Sequence, residues 1–347
     1  MLTTLILLAA STGQPAGLPS PHLLSPSLFT VAVKGDADDS ALWMSPDGKV
    51  ARIYGTDKVA DGAIYAYDSS GAVVQVFDGV AQPNNIDVEY GLVCGAERRD
   101  ILVATERGKN RLRIFSIDSG SGKLEDVTGE TSCVDQPMGI GLYRRASDGR
   151  IYTVVSRKGG PKQGYLVQYE LTWNPTSGKV DAKHVRFFGL FSGKDEIESI
   201  AVDDELGYVY ASDEGVGTRK YLADPDAPDA GKELALFNQT GFKGDHEGIG
   251  IYAGPNGEGF IVCTDQTADN STYFLYPRKG VPGMPHVHIA AFAFQAGLDE
   301  TDGIEVTQRA FGPSFPSGIF VGMNSKGKNF AIVDWRAIEK LLPTSGL

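Results

Sequence analysis

Along this chain apolar and polar residues alternate in short runs and do not recur at helical spacing. "AIYAYDSSGAVVQVF", "RLRIFSID", "YLVQYEL", "HVRFFGLF", "STYFLYP" and "IAAFAFQ" all read this way, with turn-forming residues between them. A two-residue period bounded by turn formers predicts strands, because successive side chains of a strand point to opposite faces. Helical spacing is confined to "DWRAIEKLL" at 334–342, enough for two terminal turns.

A larger cell recurs above this alternation: a polar opening, an apolar run, a turn and a second apolar run. It is seen in "DDSALWMSPDGKVARIYGTDK" (38–58), "NNIDVEYGLVCGAERRDILVATER" (84–107) and "DQPMGIGLYRRASDGRIYTVVSRK" (135–158). It returns in "EIESIAVDDELGYVYASDE" (196–214), "DHEGIGIYAGPNGEGFIVCTDQ" (245–266) and "ETDGIEVTQRAFGPSFPSGIFVGMN" (300–324). The anchors Trp43, Ile86, Ile140, Ile200, Ile249 and Ile304 are spaced 43, 54, 60, 49 and 55 residues apart. With the runs between cells, each unit has about four strands. Six such units predict an all-β, six-bladed β-propeller in one domain over 27–345. A pair of β-sandwiches would not repeat so regularly. "LFTVAVK" (28–34) could add a strand to the last blade and close the ring.

The repeat also predicts which residues meet. In a propeller the first strand of each blade lines the central channel, so equivalent strand ends converge on one mouth. The first strands open with Asp38/Asp39, Asn84/Asn85/Asp87, Asp135/Gln136, Glu196/Glu198, Asp245/Glu247 and Glu300/Asp302. The second strands close with Lys58, Arg107, Lys158, Glu214, Gln266 and Asn324. Singly, each is a turn former or a solvated charge. As an equivalent set, they make one side of a mouth suited to phosphate and the other to metal. Crowded carboxylates repel unless cations sit among them, and oxygen donors without Cys suit a hard ion such as Ca²⁺. His246 lies within the cluster but is expected to face the other way.

Charge sharpens this picture. The 44 acidic and 32 basic side chains leave a net charge of −12, which argues against a general basic surface for nucleic acid. "MLTTLILLAASTGQPAG" has the apolar run and small residues of an export signal, without a preceding Lys or Arg. A leader over 1–20 and a secreted or periplasmic location are therefore expected, a mis-started N-terminus being the alternative. No segment approaches the ~20 apolar residues that span a bilayer. Cys94, Cys133 and Cys263 fit no zinc spacing and read as buried thiols, with one disulfide plus a free thiol as the alternative. No Cys-x5-Arg loop or Arg-His-Gly run offers a phosphate-transfer motif elsewhere in the chain, and His286/His288 make a weak zinc pair.

These residues carry a resemblance. "DADDSALW", "PNNIDVEY", "DDELGYVYASDEGVGTRKY", "DHEGIGIY" and "TDGIEV" with "FPSGIFV" resemble, in order, motifs of the β-propeller phytases. This is the alkaline, calcium-dependent family that hydrolyses myo-inositol hexakisphosphate. The resemblance implies that Lys58, Arg107 and Lys158 grip phosphate, with Gln266 a further polar contact. It implies that Asp39, Glu198, Glu214, Asp245, Glu247 and Asp302 bind several active-site Ca²⁺ ions. Asp38, and Asn84 with Asp87, fall around other calcium sites. Lys58, Arg107, Lys158 and Glu214 would then be the catalytic set, acting with in-line attack by a metal-bound water. The expected substrate is phytate, free or as its calcium salt, handled by a monomer away from nucleic acid and membrane. Four positions depart from the family pattern: Met138 replaces a Tyr, Gly159 a Glu, Val59 a Lys and Asn324 a frequent Asp. Two other readings stay open, a lactonase-like propeller hydrolase with one axial calcium and a non-catalytic binding propeller.

Overall fold

The computed structural model describes residues 17–342. Most of the leader expected at 1–20, and the last residues of the expected domain, lie outside that range. Within it, six antiparallel sheets follow one another along the chain, as the repeat predicts. Blade one spans Ala37–Val80, blade two Pro83–Asp126 and blade three Pro137–Leu190. Blade four spans Ile197–Phe237, blade five Asp245–Gln295 and blade six Ile304–Asp334.

The apolar content of the strands is explained by what lies between the blades. Each sheet is covered on both faces by its neighbours, so both faces of its strands carry apolar side chains. Six buried clusters result, one at each blade interface. Trp43 and Tyr54 meet Ile86 and Phe115 between blades one and two, and Leu42 and Ile53 meet Ile319 and Val321 between blades one and six. Burying such side chains is worth about 1.5–3 kcal/mol each relative to exposure.

The ring closes as "LFTVAVK" suggested. Leu28–Phe29 pairs antiparallel with Asn329–Asp334 as the outer strand of blade six, Leu28 opposite Ile332. A second N-terminal strand was not anticipated: His22–Leu23 runs parallel to Phe292–Gln295 and makes a fifth strand on blade five. His22 stacks on Phe292 there, ring centroids 5.1 Å apart. The terminal helix is Trp335–Glu339, capped by Asp334, whose side chain accepts the Arg336 N–H. Trp335 lies flat on Tyr252 at 3.7 Å, so this short helix is fixed by packing.

All three thiols are free, Cys94 and Cys263 buried and Cys133 half-buried. Among the described residues, no helix is long and apolar enough to cross a membrane.

Candidate functional site

The same local device builds the mouth in successive blades. In blades one to five the first strand loses register near its start, between Ala37/Ser40, Pro83/Ile86, Pro137/Ile140, Ile197/Ile200 and His246/Ile249. A bulge of this kind sets two residues against one partner and re-aims their side chains. The bulged pairs are Asp38-Asp39, Asn84-Asn85, Met138-Gly139, Glu198-Ser199 and Glu247-Gly248. In blade six, Asp302-Gly303 stands at the equivalent place just before the strand.

The second strand then fixes the bulge. Its last residues read hydroxyl, charged residue, site residue: Thr56-Asp57-Lys58, Thr105-Glu106-Arg107, Ser156-Arg157-Lys158, Ser212-Asp213-Glu214 and Thr264-Asp265-Gln266. Three of the hydroxyls reach into the next blade. Thr105 donates to Met138 O (2.7 Å), Ser156 to Ile197 O (2.5 Å) and Ser212 to Glu247 O (2.7 Å). The Gly139 N–H donates in turn to Ser156 Oγ at 2.8 Å. No side chain fits at Gly139, where a Cβ would stand 2.1 Å from Glu198 O. Asp57, Glu106, Asp213 and Asp265 accept N–H groups of the incoming loops, from Asp36, Ala81, Ser192 and Gly244 respectively. The backbone N–H of each of four site residues closes the mouth: Lys58 onto Asp36 O, Arg107 onto Gln82 O, Lys158 onto Gln136 O and Glu214 onto Glu196 O.

One polar network results. Lys58 is ion-paired with Asp38 and stands 3.6 Å from Asp302 and 3.9 Å from Glu198. Burial acts to lower the Lys58 pKa, but the three carboxylates outweigh it and hold the ammonium well above its usual range. Asn84, fully buried, donates to Asp38 (3.2 Å) and Glu198 (2.8 Å), and its carbonyl accepts from Arg107 at 2.9 Å. It thus links two carboxylates to a guanidinium, and its oxygen is already engaged. Met138, in place of the expected phenol, sets its sulfur 3.2 Å from the Arg107 guanidinium. Lys158 meets Glu196 at 3.0 Å on the half-exposed rim. Gln266 donates to Asp302 at 2.5 Å.

The carboxylates outnumber these cations. Burial, then repulsion from Glu196, Glu198 and Asp245, pushes Glu214 up to about 9. Glu247 is raised well above its normal range by burial and by Glu198, Asp302 and Glu214. Asp302 rises to about 6, again through burial, with Lys58 opposing. Asp38 is also raised well above normal by burial, against the pull of Lys58. Glu214 Oε1 and Glu247 Oε2 are buried with no hydrogen-bond partner. An oxygen set of this kind, short of positive charge and with orphaned acceptors, fits a hard divalent cation.

Two expected members stand elsewhere. Asp39 and Asp87 line an axial cavity of about 250 Å³ together with Glu89, Asp204 and Glu305, and none of Lys58, Arg107, Lys158 or Glu214 lines it. Asp39 accepts the Ile86 N–H at 3.0 Å, and Asp87 accepts the Leu142 N–H at 2.7 Å. Burial raises both to about 7. The bulge divides its own pair: Asp38 meets Lys58 at the mouth, while Asp39 turns to the blade-two backbone and the cavity. Asp245 stays exposed at the head of blade five, opposite Gln266. Glu196, which the repeat places among the converging strand openings but no motif of the resemblance carries, joins the mouth, where its carbonyl accepts the Glu214 N–H. His246 is buried and neutral-leaning, hydrogen-bonded to Asn238 O (2.9 Å) and stacked on Phe242, as expected. His288 meets Lys220 and Pro277 O rather than forming a metal site with His286.

The family model Phytase matches residues 27–345. The chain belongs to the phytase family. A 3-phytase of Bacillus subtilis (strain 168) is 29% identical over 326 residues, covering 88% of this chain and 81% of that protein. Among solved structures, a calcium-binding protein, regucalcin, of Agrobacterium tumefaciens strain C58 is similar with a TM-score of 0.50 at 11% identity, over 90% of this chain and 96% of that one. The Dos1 propeller is similar with a TM-score of 0.41 at 12% identity, over 86% of this chain and 68% of that one. At 11% identity the likeness to regucalcin concerns the fold of this phytase-family chain and not its chemistry.

Proposed function

We propose that the chain hydrolyses phytate, myo-inositol hexakisphosphate, to lower inositol phosphates and inorganic phosphate, with several Ca²⁺ ions as cofactor. The observation that carries this reading is the division of the mouth. Lys58, Arg107 and Lys158 stand at one repeated position in blades one to three, beside carboxylates whose oxygens lack partners. Family membership and the 3-phytase relative support phytate as the substrate.

The protein's own groups divide the work. Lys58 acts as a point charge deep in the mouth, while the Arg107 fork, aligned by Asn84, suits two oxygens of one phosphate. Lys158 and Gln266 flank them for a neighbouring phosphate. Glu198, Glu214, Glu247 and Asp302 would hold calcium, with Asp38 and Asp245 at the edge of the set. Calcium, when bound, supplies charge at the phosphate oxygens and acidifies water. Monoester hydrolysis needs stabilisation on the order of 20 kcal/mol, and preorganised charge in a dry cleft is the term large enough to provide it. Asp39 and Asp87, turned to the axial cavity, serve this scheme as support beneath the mouth. One chain carries the whole set, which supports a monomer, and the apolar N-terminal run supports a secreted or periplasmic setting.

A substrate panel tests the reading. Phosphate release from phytate in calcium is expected, with no turnover of lactones. Lactone hydrolysis without phosphate release would replace it with the single-calcium hydrolase reading, and tight phytate binding without turnover with a binding propeller.

A further inference from the structure

Glu196 stands between two partners. Both its oxygens reach the Lys158 ammonium, at 3.0 and 3.3 Å. It also offers a carboxylate oxygen that lies, with one each from Glu198 and Glu214, inside a group whose members are all within 4.8 Å of one another. The Glu214 N–H donates to Glu196 O at 3.0 Å, so the two backbones are tied and the cluster is held by main chain. Glu214, only 6% exposed, aims Oε1 into this group with no hydrogen-bond partner. Glu196, Glu198 and Glu214 together outweigh the half-exposed Lys158 and the more distant Lys58, 3.9 Å from Glu198, and the remaining deficit is one that a divalent ion closes.

We propose that Glu196 is a third carboxylate ligand, with Glu198 and Glu214, of a divalent cation at the rim of the mouth, and that filling this site frees Lys158 for a substrate phosphate. The inference rests on the reading of the mouth as a metal-dependent phosphate site. Its physical content is a competition. Glu196 cannot give its charge fully to Lys158 and to a cation at once, so the ion that neutralises the carboxylates also releases the ammonium. Glu196 is thereby a ligand and a holder, and Lys158 is available to phosphate only when the rim is loaded.

The test uses chelator-treated full-length protein, calcium titration by calorimetry without substrate, and inorganic phosphate as the anion probe. In Glu196→Gln, one calcium site is expected to weaken roughly tenfold or more, because ligand charge sets calcium affinity. In Lys158→Gln the same site is expected to bind calcium at least as tightly as in the parent, since the competing ammonium is gone. Without metal, Glu196→Gln should bind phosphate more tightly than the parent, and Lys158→Gln should not. An unchanged calcium titration in Glu196→Gln, with melting temperature preserved, overturns the proposal. A loss of calcium binding in Lys158→Gln equal to that in Glu196→Gln overturns it too, because it would make the pair merely structural. Phytate turnover is read separately, so a failure of the phytase reading is distinguishable from a failure here.

Discussion

Blades one to three and blades four to six use one backbone position for opposite purposes. The second strand ends in Lys58, Arg107 and Lys158 in the first three, and in Glu214, Gln266 and Asn324 in the others. The closing hydrogen bond that presents Lys58, Arg107 and Lys158 also presents Glu214. Position is therefore set by the main chain and by hydroxyl latches, while the charge of each tip is free to vary. Blade six departs from this pattern. Blade six has Gly322 and Met323 in place of the hydroxyl and the acid, and Asn324 spends its amide on Asn329 at 2.9 Å. A ring built this way can place three cations against a carboxylate cluster without any single segment carrying the site.

The comparison can be broken first at its cationic half. Lys58→Ala should lower kcat/KM for phytate by about a hundredfold or more, the scale of losing a preorganised charge in a catalytic cleft. It should also leave Asp38, Glu198 and Asp302 without their shared cation. A loss below tenfold by phosphate-release kinetics would detach Lys58 from the chemistry.

The carboxylate half predicts a pH dependence. Glu214 is raised to about 9 and Asp302 to about 6, so the metal-free folded state keeps protons that the unfolded chain has already lost. Stability without metal should then fall as pH rises from about 4 towards 9. Calcium, by binding the deprotonated groups, should raise the melting temperature more at about pH 8 than at about pH 5. Calorimetric melting with and without calcium would show this, and a calcium gain independent of pH would argue against a cation among these carboxylates.

The latches give the smaller effects. Ser156→Ala removes the acceptor of the buried Gly139 N–H and the donor to Ile197 O, and should cost about 1–3 kcal/mol in denaturant unfolding. Thr264 occupies the same place in blade five, yet its hydroxyl is buried with no partner. Thr264→Val should accordingly be neutral or slightly stabilising. Equal costs for the two substitutions would show that the latch does not set the mouth.

Much of this was legible in the sequence because a propeller converts a linear repeat into spatial convergence. The six anchors, the ring-closing Leu28–Phe29 strand and the grouping of Lys58 with Asp38, Glu198 and Asp302 all follow from equivalence along the chain. What escaped the sequence depends on geometry below the repeat. Asp38 and Asp39 are adjacent in sequence, and only the bulge sends one to the mouth and the other to the axial cavity. Met138 reads as the loss of a phenol, whereas its sulfur packs on Arg107. Gly159 reads as a lost carboxylate beside Lys158, whereas Glu196 brings one to the same ammonium from the next blade. His22–Leu23 escaped because two residues added in parallel to a sheet edge carry no alternation.

The most direct test of the central claim is inorganic phosphate released from phytate by chelator-treated protein as calcium is added back. The account predicts background release without the ion and a steep, saturable recovery with it. Full turnover by the metal-free protein would contradict it.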